Sequence, residues 1–283
     1  MKVRATMHGA VSIVNAIATG NGAAMGISLK MVVEVEAFKG RSVRFLTGKN
    51  DDRLVNNVLK NTLPASMLEK NQVTISVRSE IPIGFGLKSS SAVSNALALA
   101  CSRLANEEVD DAAVLDAAVR ASLDAKVTVT GAYDDATACY YGGFVVTDNY
   151  ARRLIKREDA PDNLYAVIFL PDNVPRGDVR RLGDLADLFT DAYRLAEGGE
   201  YWKAMKLNGV LASVALGSTY KPVLAALEQG ALAAGISGNG PSIAAIAYED
   251  ELQGIQNAFG KFRGKALTSK VNNQKATVEV LAG

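Results

Sequence analysis

Apolar residues in the N-terminal half of the chain follow two different periods. They alternate with polar residues over 33–37 and 73–77, and more briefly over 43–45, which predicts strands with one buried face. From Ser89 onward they recur every three or four positions, which predicts a helix. Asp110 and Asp111 signal the start of a second helix that continues to about Leu123. These patterns predict a sheet covered by helices.

The segment VTVTGAYDDATACYYGGFVVTD, 127–148, predicts two short β-rich pieces around a centre bounded by glycines. After Tyr150 the charge density rises, and the apolar run at 164–170 predicts the first strand of a second sheet. Helical patterns at 178–216, a strand-like SIAAIAY, a helix near 251–262 and an alternating ATVEVLA follow. The prediction is an α+β protein with domains at 1–155 and 156–283, without internal repeats.

Composition excludes several classes of protein. Of the 283 residues, 48% are hydrophobic and 22% charged, which is typical of a globular protein with a core. The net charge of +1 is spread along the chain, so no nucleic acid partner is expected. No apolar run is long enough to span a membrane, and His8 with other polar residues interrupts the N-terminal apolar stretch. Only two cysteines occur, both in apolar runs, which favours a reduced, cytoplasmic setting.

The stretch PIGFGLKSSSA, 82–92, carries the first candidate chemistry. Glycines let a backbone approach a ligand closely, and the unpaired N–H groups of a helix start favour anions. A Walker A loop is excluded because Leu87 precedes Lys88 and Pro82 stands where the first glycine would be. The alternative is a turn whose serine caps the helix. On these residues alone, phosphate binding and capping both remain open.

The same stretch resembles the second motif of the GHMP kinases, whose general form is Pro-x-x-x-Gly-Leu-Gly-Ser-Ser-Ala. GISGNGPSIAAI, 235–246, resembles their third motif. HGAVSIVNAIATGNGAAMGISL, 8–29, occupies the position of their substrate-side motif and lacks the lysine that mevalonate kinases carry there. With the TGAYDDA segment and a lysine in the serine loop, the chain is similar to the archaeal-type shikimate kinases, a branch of this superfamily.

The resemblance implies a two-domain fold, with an N-terminal domain like ribosomal protein S5 domain 2 and a ferredoxin-like C-terminal domain. It implies ATP and Mg²⁺ as cofactors, and it places Ser90 beside the metal. It implies ATP binding by the two glycine-rich motifs: Pro82, Ile83, Gly84, Phe85, Gly86, Leu87, Lys88, Ser89, Ser90, Ser91, Ala92, Gly238 and Gly240. Lys88 departs from the motif, which has glycine at this position.

Candidate catalytic acids come from the same comparison. The catalytic aspartate of the mevalonate kinase branch precedes a Gly-Gly pair by seven residues, which corresponds to Asp135, with Asp134 as the reserve. A metal-binding acid eleven residues earlier corresponds to Asp124. The alternatives from residue type alone are a helix cap at the aspartate pair and a solvated carboxylate at Asp124. With His8 as the one histidine, a histidine-based triad has little support, and a structural role for His8 is favoured.

The implied reaction is phosphorylation of shikimate to shikimate 3-phosphate in aromatic amino acid biosynthesis. Asn15, Thr19 and Arg176 are the candidate substrate-binding residues, although a solvated helix start explains the arginines of PRGDVRR as well. The alternatives are another GHMP small-molecule kinase, such as a homoserine kinase, and an inert binding protein of the same fold. The sequence does not predict the oligomeric state.

Overall fold

Two sheets organise the chain in the computed structural model, which describes residues 1–40, 42–47 and 52–282. The strands are β1 Lys2–Val14, β2 Asn21–Lys39, β3 Ser42–Thr47, β4 Asn71–Ser79, β5 Phe144–Asp148, β6 Arg153–Glu158, β7 Tyr165–Pro171, β8 Ala233–Ile236, β9 Ile243–Ala247, β10 Gly264–Lys270 and β11 Thr277–Ala282. The α-helices are α1 Asp52–Thr62, α2 Ala65–Lys70, α3 Ser89–Ala105, α4 Asp111–Asp124, α5 Tyr133–Tyr141, α6 Ala186–Glu197, α7 Tyr201–Leu216, α8 Lys221–Glu228 and α9 Leu252–Phe259. Short 3₁₀ helices lie at Val179–Leu185 and Glu249–Glu251.

The first sheet is built around the 19-residue strand β2. One edge of β2 pairs with β1 along most of its length. The other edge is divided, because Asn21–Met25 pairs with β5 and Met31–Lys39 pairs with β4. Strand β11 returns from the end of the chain and adds to β1, while β3 runs parallel to β4. The two ends of the chain therefore belong to the same sheet.

The second sheet has the order β10-β7-β9-β8, and all of its neighbours are antiparallel. Its apolar strands β7 and β9 are buried, because both faces of this sheet are covered by other parts of the chain. Phe169, Phe189 and Phe259 fill the core on one side of this sheet. A separate, larger core lies under the first sheet and extends to α6 and α7.

Helix α3 occupies the centre of the first core because its buried positions are small. Ala92, Ala96, Ala98 and Ala100 are fully buried, so the helix can lie close to β1 and β2. Helix α4 packs against α3, and Asp110 caps its start by accepting a hydrogen bond of 2.9 Å from the N–H of Ala112. The alanine-rich run after the serines is therefore a core helix with its first turn at the surface.

Most predicted elements are confirmed, including the strands at 33–37, 43–45 and 73–77 and the helices from Ser89 and Asp111. The prediction for 127–148 is wrong for its first piece and confirmed for its second, FVVTD, which forms β5. Residues 127–130 form an irregular loop with Val129 exposed, and no described strand pairs with it. The centre bounded by glycines forms α5, which packs against β1 and β2.

The predicted border between residues 155 and 156 falls within β6, and β11 joins the first sheet. The assignment of domains at 1–155 and 156–283 stays a prediction. Over the described ranges, no helix combines the length and apolar character needed to cross a membrane.

Candidate active site

The serine loop and the first turn of α3 form a cradle of backbone groups. Gly84 and Gly86 have φ of 88° and 77°, in the left-handed region that glycine adopts at little cost. Lys88 precedes the helix in the same left-handed region, with φ 68°, and Ser89–Ser91 form the first turn. Because the first N–H groups of a helix have no intrahelical partner, this turn presents donors to an anion.

The second glycine-rich segment, 237–242, is fastened to this loop. The Ser237 hydroxyl donates to the carbonyl of Gly86 at 2.8 Å, and the Ser242 hydroxyl donates to the carbonyl of Phe85 at 2.6 Å. A Cβ atom on Gly86 would overlap the carbonyl oxygen of Ser237. The glycine at this position is therefore required both by its φ and by the close approach of the other segment.

Lys88 is directed inward from the loop to an aspartate. Its Nζ lies 2.8 Å from Oδ1 of Asp135 and donates to Oγ of Ser12 at 2.7 Å. Burial lowers the pKa of Lys88, but the carboxylates of Asp135 and Asp134 outweigh that effect and hold the pKa above its usual value. Oγ of Ser12 also accepts from the N–H of Gly238 at 2.9 Å. One serine hydroxyl thus joins β1, the serine loop and the second glycine-rich segment.

Asp135 itself is only partly covered. Its side chain is 20% exposed, compared with 4% for that of Lys88. Oδ1 is buried beside the ammonium, but the approach is not aligned well enough to count as a hydrogen bond. The exposed part of the carboxylate faces the cavity described below. Asp135 therefore retains accepting capacity for a group bound there.

Asp134 is held differently, by the amide of Asn149. Asn149 Nδ2 donates to Oδ1 of Asp134 at 2.8 Å, and Asn149 Oδ1 accepts from the backbone N–H of Asp134 at 3.0 Å. The second bond caps α5, whose preceding residue, Ala132, has no capping side chain. Burial and then the charge of Asp135 raise the pKa of Asp134 to about 7. A Cβ on Gly22 would lie 2.6 Å from Oδ2 of Asp134, so this glycine leaves room for the carboxylate.

These groups share a cavity of about 540 Å³. Its wall combines the serine loop, the second glycine-rich segment, the aspartate pair, the end of β1 and the loop after α4: Ser12, Asn15, Ala16, Ile17, Ile83, Gly84, Gly86, Lys88, Ser89, Ser90, Ser91, Ser122, Lys126, Val127, Thr128, Val129, Thr130, Ala132, Asp134, Asp135, Arg176, Gly238, Asn239 and Gly240. The volume is sufficient for a nucleotide or a comparable small molecule.

The structure brings together most of the predicted site residues, but not all of them. Four members of the loop do not line the cavity: Pro82, Phe85, Leu87 and Ala92. Leu87 and Ala92 are fully buried and anchor the loop in the core. Asp124 is exposed at the end of α4 and also lies outside the lining of the cavity.

The three candidate substrate residues differ in position. Thr19 does not line the cavity, and its hydroxyl accepts from the N–H of Asn21 at 3.1 Å. Asn15 lines it, but its side chain donates to the carbonyl of Gly238 at 3.0 Å and accepts from the N–H of Ile17. Arg176 lines the cavity and donates to the carbonyl of Gly84 at 2.7 Å. Of the three candidates, Arg176 is the one that both lines the cavity and carries a positive charge.

Sequence reasoning missed Ser12, Lys126 and Asn149. Ser12 had one local signal, since it is a polar residue inside the apolar run VSIV of β1. Asn149 had none, because it meets Asp134 only through the pairing of β5 with β2 and the packing of α5.

Comparison with known proteins agrees with this geometry. The family model described as the GHMP kinases N terminal domain matches residues 53–143, and the GHMP kinases C terminal model matches 172–265. The chain belongs to the GHMP kinase family. Members of this family are ATP-dependent phosphotransferases, and the anion cradle and carboxylate of this cavity are consistent with that chemistry.

Two relatives of this GHMP kinase match it along nearly their whole length. A protein of Methanothermobacter thermautotrophicus named shikimate kinase is 39% identical, with 98% of this chain and 99% of that one covered. A protein of Methanobrevibacter smithii with the same name is 35% identical, with 96% and 98% covered. Among solved structures, a homoserine kinase from Cytophaga hutchinsonii superposes with a TM-score of 0.74 at 21% identity, covering 98% of this chain and 97% of that one. That likeness confirms the predicted two-domain GHMP kinase fold.

Proposed function

We propose that this GHMP kinase transfers the γ-phosphoryl group of ATP to a hydroxyl of shikimate, giving ADP and shikimate 3-phosphate. The observation that carries the proposal is the position of Asp135, a partly exposed carboxylate in the same cavity as the anion cradle of α3. The choice of shikimate rests on the relatives named shikimate kinase, at 35–39% identity over nearly the whole chain.

The triphosphate of ATP would lie along the serine loop. Gly84, Gly86 and Ser89–Ser91 contribute to the wall, and the helix start supplies N–H donors. Gly238 and Gly240 contribute from the other segment, which the hydrogen bonds of Ser237 and Ser242 hold against the loop. A preformed cradle of this kind binds the phosphates without reorganisation.

Asp135 is the proposed base. The acceptor hydroxyl donates a hydrogen bond to this carboxylate, and its oxygen attacks the γ-phosphorus as the bond to the β–γ bridging oxygen breaks. Asp135 receives the proton late, because the transition state of phosphoryl transfer is loose and the acceptor oxygen is then little bonded to phosphorus. Orientation of the hydroxyl is therefore the main contribution of this side chain.

Lys88 and Asn149 support the aspartate pair. The ammonium of Lys88 lies 2.8 Å from Oδ1 of Asp135, and its position is set by its hydrogen bond to Ser12. Asn149 fixes the start of α5, and with it the backbone that carries both aspartates. Asp134 is the less suitable base, because one of its oxygens is already hydrogen bonded and its side chain is buried.

Mg²⁺, when bound, neutralises the β- and γ-phosphate oxygens during transfer. Ser90 fits such an ion, because it is an exposed residue with a hydroxyl group at the cavity wall, in the first turn of α3. Among the described residues no group of three or more His, Cys, Asp or Glu side chains could hold a metal. The donor set thus suits a metal that is ligated chiefly by phosphate, with Ser90 as the protein ligand. Asp124 would have to move to take part.

Arg176 is the proposed partner of the substrate carboxylate, since it is a cation at the cavity wall without an acidic partner among the described residues. Asn15 would shape the pocket, and a contact from Thr19 would need a change in its position. Both cysteines, Cys101 and Cys139, are buried and unpaired, which supports a cytoplasmic enzyme.

A coupled assay of ADP release tests the function. Shikimate, homoserine, mevalonate and galactose are offered at equal concentrations with saturating magnesium and ATP. We expect kcat/KM for shikimate to exceed the others by about a hundredfold or more, because a site built for a ring with several hydroxyls leaves polar groups unpaired with other acceptors. A higher value for homoserine would identify a homoserine kinase. ATP binding without transfer to any acceptor would indicate the inert binding protein.

A further inference from the structure

One cation at the cavity wall has neither an acidic partner nor a side-chain hydrogen bond among the described residues. Lys88, Lys126 and Arg176 are the cationic residues among the described ones that line it. Lys88 is buried and paired with Asp135, and Arg176 donates to Gly84. Lys126 is exposed, and it forms neither an ion pair nor a side-chain hydrogen bond within the described part of the chain. Its charge is therefore available to a ligand.

The backbone at Lys126 is in a costly conformation. Its φ is 58°, in the left-handed region where a residue with a Cβ costs about 1 kcal/mol or more. Five non-glycine residues of the described ranges have positive φ, and three of them, Lys88, Lys126 and Ala132, line this one cavity. Strained residues of this kind concentrate at functional sites. At Lys126 the turn ends α4 and directs the chain along the cavity wall towards Asp134.

The position of Lys126 relates it to the phosphate end of the cavity. It lies two residues beyond the end of α4, which packs against α3, and Ser122, one turn earlier on α4, lines the same wall. The first turn of α3 is the anion cradle. The candidate substrate-side residues come from the turn after β1 and from the loop that carries Arg176.

We propose that Lys126 binds the γ-phosphate of ATP and compensates the charge of the phosphoryl group during transfer. The inference rests on the proposed function, since it assigns a further catalytic residue to that reaction. In the transition state negative charge is spread over three oxygens of the transferred group, and a nearby cation stabilises it. Lys88 stands in the phosphate loop but is turned away to Asp135, so Lys126 provides this charge from the turn after α4.

The test compares the binding of ATP with that of ADP, which lacks the γ-phosphate. Dissociation constants are measured by calorimetry with magnesium and without acceptor, for the wild-type protein and for Lys126→Asn, Lys126→Gly and Lys126→Arg. Asparagine and glycine accept left-handed backbone, so they remove the charge without adding strain. Lys261→Asn is the matched control, because it removes the same charge from an exposed site outside the cavity.

We expect Lys126→Asn and Lys126→Gly to weaken ATP binding about tenfold and to leave ADP binding within about twofold, since the lost contact is to a charged group. Turnover should fall at saturating ATP as well. Lys126→Arg should retain the preference for ATP, and Lys261→Asn should resemble the wild type.

Equal weakening of ATP and ADP would overturn the γ-phosphate assignment, and so would unchanged binding of both. A rise in the KM of the acceptor alone would place Lys126 at the acceptor and also overturn it. If the wild-type protein phosphorylates no shikimate, the proposed function fails. The comparison of ATP with ADP still decides the role of Lys126, so the two failures are distinguishable.

Discussion

The ammonium of Lys88 lies 2.8 Å from the carboxylate of Asp135, which joins the serine loop to the start of α5. The two residues are 47 positions apart in the chain, and each comes from a different motif. Because Lys88 is deeply buried, removal of either charge would leave the other without compensation, which is costly. The pair therefore fixes the loop and the proposed base in one arrangement.

Replacement of the proposed base should reduce turnover selectively. Asp135→Asn keeps the shape of the side chain but cannot accept a proton, so we expect kcat to fall by about a hundredfold or more with little change in ATP affinity. Asp134→Asn should cost less, because Asp134 is buried and bonded to Asn149. Both variants are measured at saturating magnesium and ATP.

The opposite order of effects would exchange the two roles. If Asp134→Asn loses turnover while Asp135→Asn keeps it, then Asp134 is the base. If neither substitution matters, the carboxylate mechanism is wrong.

The loop and its helix were predictable from sequence because their signals are local. The glycines, the serines and the alanine-rich start of the helix all lie within about twenty consecutive residues. Lys88 shows why the departure from the motif is tolerated: it takes the left-handed φ of 68° that the usual glycine would take. The contacts of Lys88 with Ser12 and Asp135 were not predictable. These residues reach Lys88 only through the pairing of β1 with β2 and the packing of α5 on that sheet.

The loop before α5 was mispredicted for a related reason. The residues VTVT have high strand propensity, yet no strand lies beside them among the described residues, and a strand without a partner gains nothing from that propensity. The fold uses them as cavity wall instead. Lys126 could not be recognised from sequence, because its importance depends on how the turn after α4 lies against the cavity.

The ion pair between Lys88 and Asp135 should contribute to the stability of the fold. Lys88→Met leaves the partly buried carboxylate without its cation, and we expect a loss of about 3 kcal/mol in the free energy of unfolding. Asp135→Asn in the same chain should recover part of that loss. The four proteins of this double-mutant cycle are compared by urea unfolding at neutral pH.

Additivity of the two substitutions would contradict an energetic link between the residues. Lys203→Met provides a control, because this lysine forms an exposed ion pair with Glu200 on the surface. Its effect on stability should be within about 1 kcal/mol.

Gly86 should tolerate no side chain. Gly86→Ala places a Cβ against the carbonyl oxygen of Ser237 and forces a left-handed alanine, so the two glycine-rich segments must separate. We expect ATP affinity to fall by about tenfold or more, and the free energy of unfolding to fall as well. Gly183→Ala is the matched control, since no atom lies within 4 Å of a Cβ at that site. Retained ATP affinity in Gly86→Ala would show that this loop is not the phosphate cradle.

The pH dependence of stability should identify Asp134. Its pKa in the folded protein is about 7, raised first by burial and then by Asp135, whereas an aspartate in an unfolded chain has a pKa of about 3.9. Between these values the folded state binds a proton that the unfolded state does not. The contribution of Asp134 is therefore fully present below about pH 4 and is lost as the pH rises through about 7.

Asparagine cannot ionise but can still accept the hydrogen bond from Asn149. We thus expect Asp134→Asn to melt at a higher temperature than the wild type at pH 8 and by a much smaller margin at pH 5, measured by calorimetry. Asp187→Asn, at an exposed position on α6, should show no such pH-dependent difference in melting temperature from the wild type. A difference between Asp134→Asn and wild type that is the same at both pH values would mean that Asp134 is already ionised at pH 5, and its environment would then not be the one described.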